Sequence, residues 1–506
     1  MNQSATQRGF RAIKLAGLAL AAALPAFGEN SLPGLPVVAL PQFPLTVVTL
    51  SDYGGVGDGQ TFNTAAFDQA LAALANKGGG ELLVPPGLWL TAPIKLRSNI
   101  NLHLERGALI QFSRDYRLYP LAVFDLKGEK EVDSTSPISG ENLENVAITG
   151  EGIIDGGGDA WRPLKKGKLG DSDWKALVKS GGVLTEKGDT WWPSRAAMAG
   201  EKLVDRLRED NSLNLAAYEP AHPFLRPKMV RFIGCKRVLL EGVTFRNPPN
   251  WTLNPVLCED VSILKVTVNN LPTAQNSDAL DLESCRRATI RDCAFDTGDD
   301  GICIKSGKDA AGRRIGVPCE DVLVEGCTVY HAHGGFTIGS EMSGGVRNFV
   351  VTNCTFIGTD IGLRFKSTRG RGGVVENIFV SNVRMTDIGT DAINFDMYYG
   401  GKSPADDSGS TTDATPPAVT EATPQFRGIH IENVICRGAQ KAIVMKGLPE
   451  MPIRNITLKD VSITAQQGVF LTDADGIRFE NVQVENRAGP QLNQLRVKDS
   501  SLELRP

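Results

Sequence analysis

The chain has 506 residues, is 41% hydrophobic and 22% charged, and carries a formal net charge of −4. That balance fits a soluble globular protein and excludes the overall basicity expected of a nucleic-acid or membrane-surface binder. Its 54 glycines, with many short Val/Ile runs, favour turns and short strands over long helices.

In chain order, Arg8, Arg11 and Lys14 precede the apolar stretch Leu15 to Leu24, and Ala26-Phe27-Gly28 offers small residues at the two positions a signal peptidase reads. The apolar run is shorter than the ~20 residues of a membrane span. A signal peptide over 1–28 is therefore expected, followed by one exported catalytic domain over 29–506, periplasmic or secreted, with no membrane anchor. Residues 47–112 begin VVTLSDYGGVGDG. Thr64 is a candidate helix cap, and Ala66, Phe67, Ala70, Leu71 and Leu74 follow helical spacing. One helix against many strands suggests a cap over the open end of a β stack.

From about residue 143 the sequence repeats, as NVAITGEGIIDG, RVLLEGVTFRN, DVSILKVTVNN, NFVVTNCTFIGTDIGLRFKS and similar units, each with alternating apolar residues, a turn and often an Asn. Repetition of short strands at a near-fixed period means a solenoid. The expected fold is all-β, a right-handed parallel β-helix. Two segments interrupt it. Residues 159–226 hold Trp161, Trp174, Trp191 and Trp192 and are long enough to be a functional insertion. Residues 400–425 are poor in hydrophobes and rich in Ser, Thr and Pro, which suggests a mobile loop. Nine cysteines follow residue 28 and show no C-x-x-C pattern, so zinc binding by cysteine is not expected. An odd number leaves at least one thiol free, and several sit at strand positions that suit small buried hydrophobes.

Within the repeats, aligning Leu280/Leu282 with Ile302/Ile304 sets Asp278 level with Asp300, with Asp299 beside them. The pattern continues through Phe336/Ile338, Leu363/Phe365 and Ile393/Phe395 as inward pairs. The outward partners are then Asp281/Glu283, Cys303/Lys305, Thr337/Gly339, Arg364/Lys366 and Asn394/Asp396. On rungs ~4.8 Å apart, His333 falls level with Asp299, and Arg364 and Lys366 lie one rung further. Glu283 stacks on Lys305 as a supporting ion pair. Arg364, Lys366, Arg369 and Arg371 crowd into eight positions, which by charge alone also fits a solvated loop. Three close carboxylates cannot all ionise freely, so one retains a proton as a general acid while another activates water. Cleaving a glycosidic bond needs such a pair, and cations beside it suit an acidic sugar.

NSD (276–278), GDD (298–300), HG (333–334) and RFK (364–366) together resemble the N-T-D, G-D-D, G-H-G and R-I-K motifs of glycoside hydrolase family 28, the polygalacturonases. Ala332 stands where that family has the first Gly of G-H-G. The resemblance implies a pectin-lyase-like β-helix, Asp299 as general acid, and Asp278 and Asp300 as activators of water. His333 would tune the acid. Arg364 and Lys366 would bind a galacturonate carboxylate on the leaving-group side. It further implies inversion without metal or cofactor, a monomer, and an acidic polysaccharide (pectin, homogalacturonan or its oligomers) as partner. The insertion 159–226 would wall off one end of the cleft and make the enzyme exo-acting. A rhamnogalacturonan or xylogalacturonan hydrolase, a calcium-dependent lyase and a non-catalytic carbohydrate-binding β-helix remain as alternatives.

Overall fold

The computed structural model describes Gly34, residues 36–401 and residues 416–505. The expected signal peptide lies outside the described residues, as does the centre of the expected 400–425 loop. Among the described residues thirty-four strands join into one parallel sheet, which coils as a right-handed β-helix. One coil is three short strands. Leu280–Glu283, Arg286–Arg291 and Ala294–Asp296 make one, and Ile302–Lys305 begins the next directly above Leu280–Glu283.

The inward pairs named from the alternation are all fully buried, and Phe365 stacks on Phe395 with ring centroids 4.3 Å apart. Burying each such side chain contributes about 1.5–3 kcal/mol, so a core truncation such as Leu282→Ala costs about 2–5 kcal/mol. The recurrent asparagines mark corners. Asn348, Asn377, Asn382, Asn433, Asn455 and Asn481 all take positive φ, which Asn tolerates better than most residues. Their amides also bond from coil to coil, as Asn377 Nδ2 to Asn348 Oδ1 at 3.0 Å and Asn433 Nδ2 to Asn382 Oδ1 at 2.6 Å. All nine cysteines are free and buried. Several thiols donate to a carbonyl of the coil before, as Cys258 Sγ to Phe232 O at 3.3 Å and Cys293 Sγ to Ile263 O at 3.4 Å.

Helix α1 (Thr64–Asn76) closes the N-terminal end, and its five expected apolar residues join the main core. Thr64 is its first helical residue rather than its cap. Asn63 precedes it and turns its amide to Val56 O, Thr61 O and Leu90 O, while Thr64 Oγ1 accepts from Ala92 N. The insertion is folded: α2 (Asp171–Lys179), α3 (Arg195–Glu209) and a three-stranded antiparallel sheet. Val204 of α3 packs with Tyr218, Ala221 and Leu225 onto Leu121 and Val132 of the hairpin Leu121–Leu126/Glu129–Ser134. Trp161 and Trp174 are buried, Trp161 edge-on to Tyr119 at 5.0 Å. Those two tryptophans therefore pack the insertion, whereas Trp191 and Trp192 stay half-buried.

Candidate active site

The site forms where turns enter four successive strands of one face. Ala279 N donates to Asp300 O at 2.9 Å, which sets Asp278 and Asp300 level, and His333 N donates to Asp299 O at 2.9 Å. Thr337 pairs with Arg364 in register, and Arg364 with Asn394. Asp278, Asp299, Asp300, His333, Arg364 and Lys366 are thus brought together as the alternation implied. Gly334 makes the convergence possible. A Cβ there would lie 2.1 Å from Thr337 Oγ1 and 3.1 Å from Asp300 Oδ1. Ala332 is fully buried in the core, so its methyl turns away from the cleft that His333 faces.

Asp300 is the most tightly held group. Lys366 Nζ donates to its Oδ2 at 2.6 Å, and Arg364 Nη1 and Thr337 Oγ1 donate to its Oδ1 at 3.0 and 3.2 Å. Burial opposes its charge, but Lys366 and Arg364 outweigh burial and hold the carboxyl well below the usual carboxylate range. Asp299 accepts from Asp300 N at 3.0 Å and lies 3.4 Å from His333 Nδ1. It keeps 15% of its side chain exposed, against 1% for Asp300, and so faces the cleft. Burial again works against ionisation, but the hydrogen bond and charge of His333 together with the charge of Lys366 outweigh it and leave Asp299 below its ordinary value. Asp278 is the reverse. Burial, reinforced by the charges of Asp281 and Asp299, pushes it well up, and its Oδ1 has no hydrogen-bond partner. Of the three carboxyls, Asp278 is therefore the one that most resists ionisation.

Asp278, Asp300 and Cys303 each bring one oxygen or sulfur within 4.8 Å of the others. As a cation site the trio is poorly suited. Lys366 already occupies Asp300 Oδ2, and burial pushes the Cys303 thiol up, away from the thiolate a metal prefers. As a water site it fits, because two carboxylates this close can share one nucleophilic water.

A crystal structure of a hyperthermoactive exopolygalacturonase from Thermotoga maritima aligns with 33% identity over 88% of this chain and 94% of that one, at a TM-score of 0.74. Residues 222–467 match the model of glycosyl hydrolases family 28. The chain belongs to that family. As a member of family 28 it is a glycoside hydrolase. A probable polygalacturonase of Vitis vinifera is 28% identical over 432 residues, 82% of this chain and 74% of that protein. An exo-poly-alpha-D-galacturonosidase of Dickeya chrysanthemi is 26% identical over 464 residues, 87% of this chain and 71% of that protein.

Some outward residues behave otherwise than the sequence suggested. Glu283 is level with Lys305, but Lys305 Nζ bonds Glu341 Oε2 at 3.1 Å and lies 3.5 Å from Asp281 Oδ1 instead. Asp281, Cys303 and Thr337 are fully buried beneath the cleft. Nor are the four crowded cations a solvated loop: Arg364 and Lys366 hold Asp300, Arg369 grips Glu450 with two hydrogen bonds, and Arg371 bonds Asp309.

Three neighbours of the site escaped the sequence reading. The Tyr399 ring lies 4.9 Å from Lys366 Nζ and 5.7 Å from the Arg364 guanidinium, and borders the low-complexity segment that hid it. Asp360 Oδ2 lies 3.8 Å from His333 Nε2, and its position just ahead of the RFK strand was a usable signal. Lys168, from the insertion, donates to Gly298 O at 2.8 Å and lies 3.4 Å from His333 Nε2. Nothing in the sequence separates it from Lys165 and Lys166 beside it.

Proposed function

We propose that the protein hydrolyses α-1,4-galacturonosidic bonds of polygalacturonate from chain ends, with inversion and without a metal. The observation that carries this reading is the split of the carboxylates. Asp278 and Asp300 lie close enough to share one water, whereas the more exposed Asp299 points into the cleft beside His333. Asp299 protonates the leaving oxygen and the other two direct water to the opposite face of the anomeric carbon, which inverts it. The chemistry needs a proton on Asp299 and none on Asp278: as the sugar displaces water from the cleft and raises the cost of the Asp299 charge, the proton that burial favours on Asp278 passes to Asp299, and Asp278 is left a carboxylate able to take the proton of the attacking water. Arg364, whose side chain keeps 15% exposed and lies beside Tyr399, offers the uronate contact; Lys366 sets the charge of Asp300.

Chain-end attack is supported by the insertion, which reaches the catalytic turn through Lys168, and by the exo activity named for the Thermotoga and Dickeya proteins. Export as a monomer, after removal of residues 1–28, completes the reading. Among the described residues no helix is long and apolar enough to cross a membrane.

The test is incubation with polygalacturonate in excess chelator, with products and their anomeric form followed from the first minutes. Saturated mono- or digalacturonate released as the β-anomer is the expected result. A ladder of mixed oligomers refutes chain-end attack. An unsaturated, ultraviolet-absorbing product with chelator sensitivity refutes hydrolysis altogether. No product from this polymer, with turnover of a rhamnose- or xylose-bearing pectin, moves the substrate and leaves the chemistry.

A further inference from the structure

Two apolar side chains stand on the outward face of the strands that lead up to the site. In register, Ile233 is level with Val256, Val256 with Glu283 and Glu283 with Lys305, so the four form one outward row. The later members carry charge, whereas Ile233 and Val256 are apolar and only 4% and 2% exposed. What covers them is the hairpin Leu121–Leu126/Glu129–Ser134, whose Phe124 packs with both. Glu131, level with Phe124 on the other strand, accepts from the buried Arg231 at 2.5 Å, and the Arg231 guanidinium lies 5.0 Å from the Phe124 ring centroid.

The hairpin is held at both ends. At its root Leu121 and Val132 pack against Val204 of α3, and Lys228, just ahead of the strand Val230–Ile233, donates to Asp133 at 2.7 Å. Its tip reaches the opposite side of the same strands. Arg314, from the helix Asp309–Ile315, donates twice to Glu129, at 2.6 and 2.8 Å. Asp125 and Lys127 line one groove with Gly234, Leu257 and Ser284, the corners that leave three successive strands. The hairpin therefore lies as a bar across the strand face, from the corners that enter it to the corners that leave it.

The bar stops one rung short of the carboxylates. Val256 belongs to the strand directly before the one that Asp278 enters, and Asp299 enters the strand after that. Arg364 lies on the other side of Asp299, two rungs further on. A rung of ~4.8 Å is close to the advance of one sugar along a polymer, so a chain laid along the stack has room for one residue between the bar and the acid. The insertion meets the site from the side, through Lys168 at the turn before Asp299, and buttresses the root of the bar.

We propose that this hairpin is the wall that ends the cleft, and that it limits the product to a single galacturonate. With Arg364 on the leaving-group side, the sugar against the bar is the non-reducing end. This rests on the galacturonan reading above and deepens it, because it assigns chain-end attack to one element and fixes the length of the fragment. A substituent on the terminal sugar meets the bar, so unsubstituted chain ends are selected.

The experiment uses the full chain and hexagalacturonate with a fluorophore at its reducing end, alone and with a bulky ether capping the non-reducing residue. Wild type should remove one residue at a time, so that labelled pentamer precedes every shorter labelled product. It should disfavour the capped form by about 10- to 100-fold in kcat/KM, the range of a group forced into filled space. In a first variant Asn-Gly replaces residues 124–131, and Arg231→Met leaves no buried cation stranded. It should give labelled dimer, trimer and tetramer from the first minutes and accept the capped hexamer. Phe124→Ala keeps the hairpin backbone whole, stands in if the first variant does not fold, and should narrow the gap between the two hexamers. Labelled tetramer as the first product of wild type overturns the one-residue limit. A folded bar-shortened variant that still removes single residues, or Phe124→Ala with an unchanged gap, overturns the assignment to the hairpin. If wild type cleaves neither hexamer, the function proposed above fails, and calorimetric titration judges the bar separately. The bar stands if the uncapped hexamer binds more tightly and Phe124→Ala narrows the difference; it falls if the two bind equally or not at all.

Discussion

Asp281 offers the sharpest test of the electrostatics beneath the cleft. It is fully buried, neither oxygen accepts a hydrogen bond, and Lys305 stands at 3.5 Å with its shorter contact given to Glu341. Burial, with the charges of Asp300, Glu283 and Asp299, outweighs Lys305 and pushes Asp281 well above its ordinary value. Asp281 therefore gives up its proton at a higher pH in the folded state than in the unfolded state, where a free aspartate titrates near pH ~3.9. The folded form then binds one more proton, so stability falls with rising pH by about 1.4 kcal/mol per pH unit from this group, from pH ~3.9 up to its raised folded value. Asp281→Asn has the same shape and no proton to lose. Its amide can donate, and Asn254 Oδ1, on the rung before, is a buried acceptor without a partner. Urea unfolding at a series of pH values above ~3.9 should show the variant gaining on wild type as pH rises, by up to about 1.4 kcal/mol per unit. If Asp281 is instead a true partner of Lys305, the variant loses about 3–5 kcal/mol, the cost of stranding a buried charge, and the reasoning fails.

Asp299→Asn should lower kcat by about 10²–10⁴-fold with KM little changed, and a wild-type-like kcat would remove Asp299 from the acid role. His333→Ala removes the hydrogen bond that holds Asp299 down, so the alkaline limb of kcat/KM should move to higher pH; an unmoved limb means His333 does not set the acid. Lys366→Met strips Asp300 of its shortest contact and should destabilise the fold by about 3 kcal/mol, softened from the buried-pair maximum because Arg364 and Thr337 remain. Saturating chelator should leave activity unchanged, since Lys366 already takes Asp300 Oδ2 and burial holds the Cys303 thiol away from the thiolate a metal prefers; inhibition that added calcium reverses would contradict this.

The period-two alternation made the stack legible, because a buried face must repeat every second residue and one rung predicts the next. Leu280/Leu282 and Ile302/Ile304 therefore placed Asp278 and Asp300 correctly without coordinates. Partner choice within a rung was not legible. Backbone register fixes where Glu283 and Lys305 start, but the Lys305 side chain spans several ångströms and finds Glu341, from a turn with no place in the repeat. The same limit hid Lys168. Its neighbours in space come from a segment whose path depends on how α3 packs against the hairpin, and no periodicity records that.

The insertion is fastened close to where it leaves and rejoins the stack. Arg162 reaches Pro248 O and Asn247 Oδ1, and Arg226 reaches Asn276 Oδ1, so both clamps grip corners that belong to the coils themselves. What lies between them is a folded module that rests on the hairpin and meets the catalytic turn through Lys168. Shortening that span reshapes the approach of the polymer while the ladder bonds that hold Asp278, Asp299 and Asp300 stay intact. How a long chain is fed to the enzyme and how a bond is broken can then change independently, the first by loop exchange and the second only by altering the pitch of the coil.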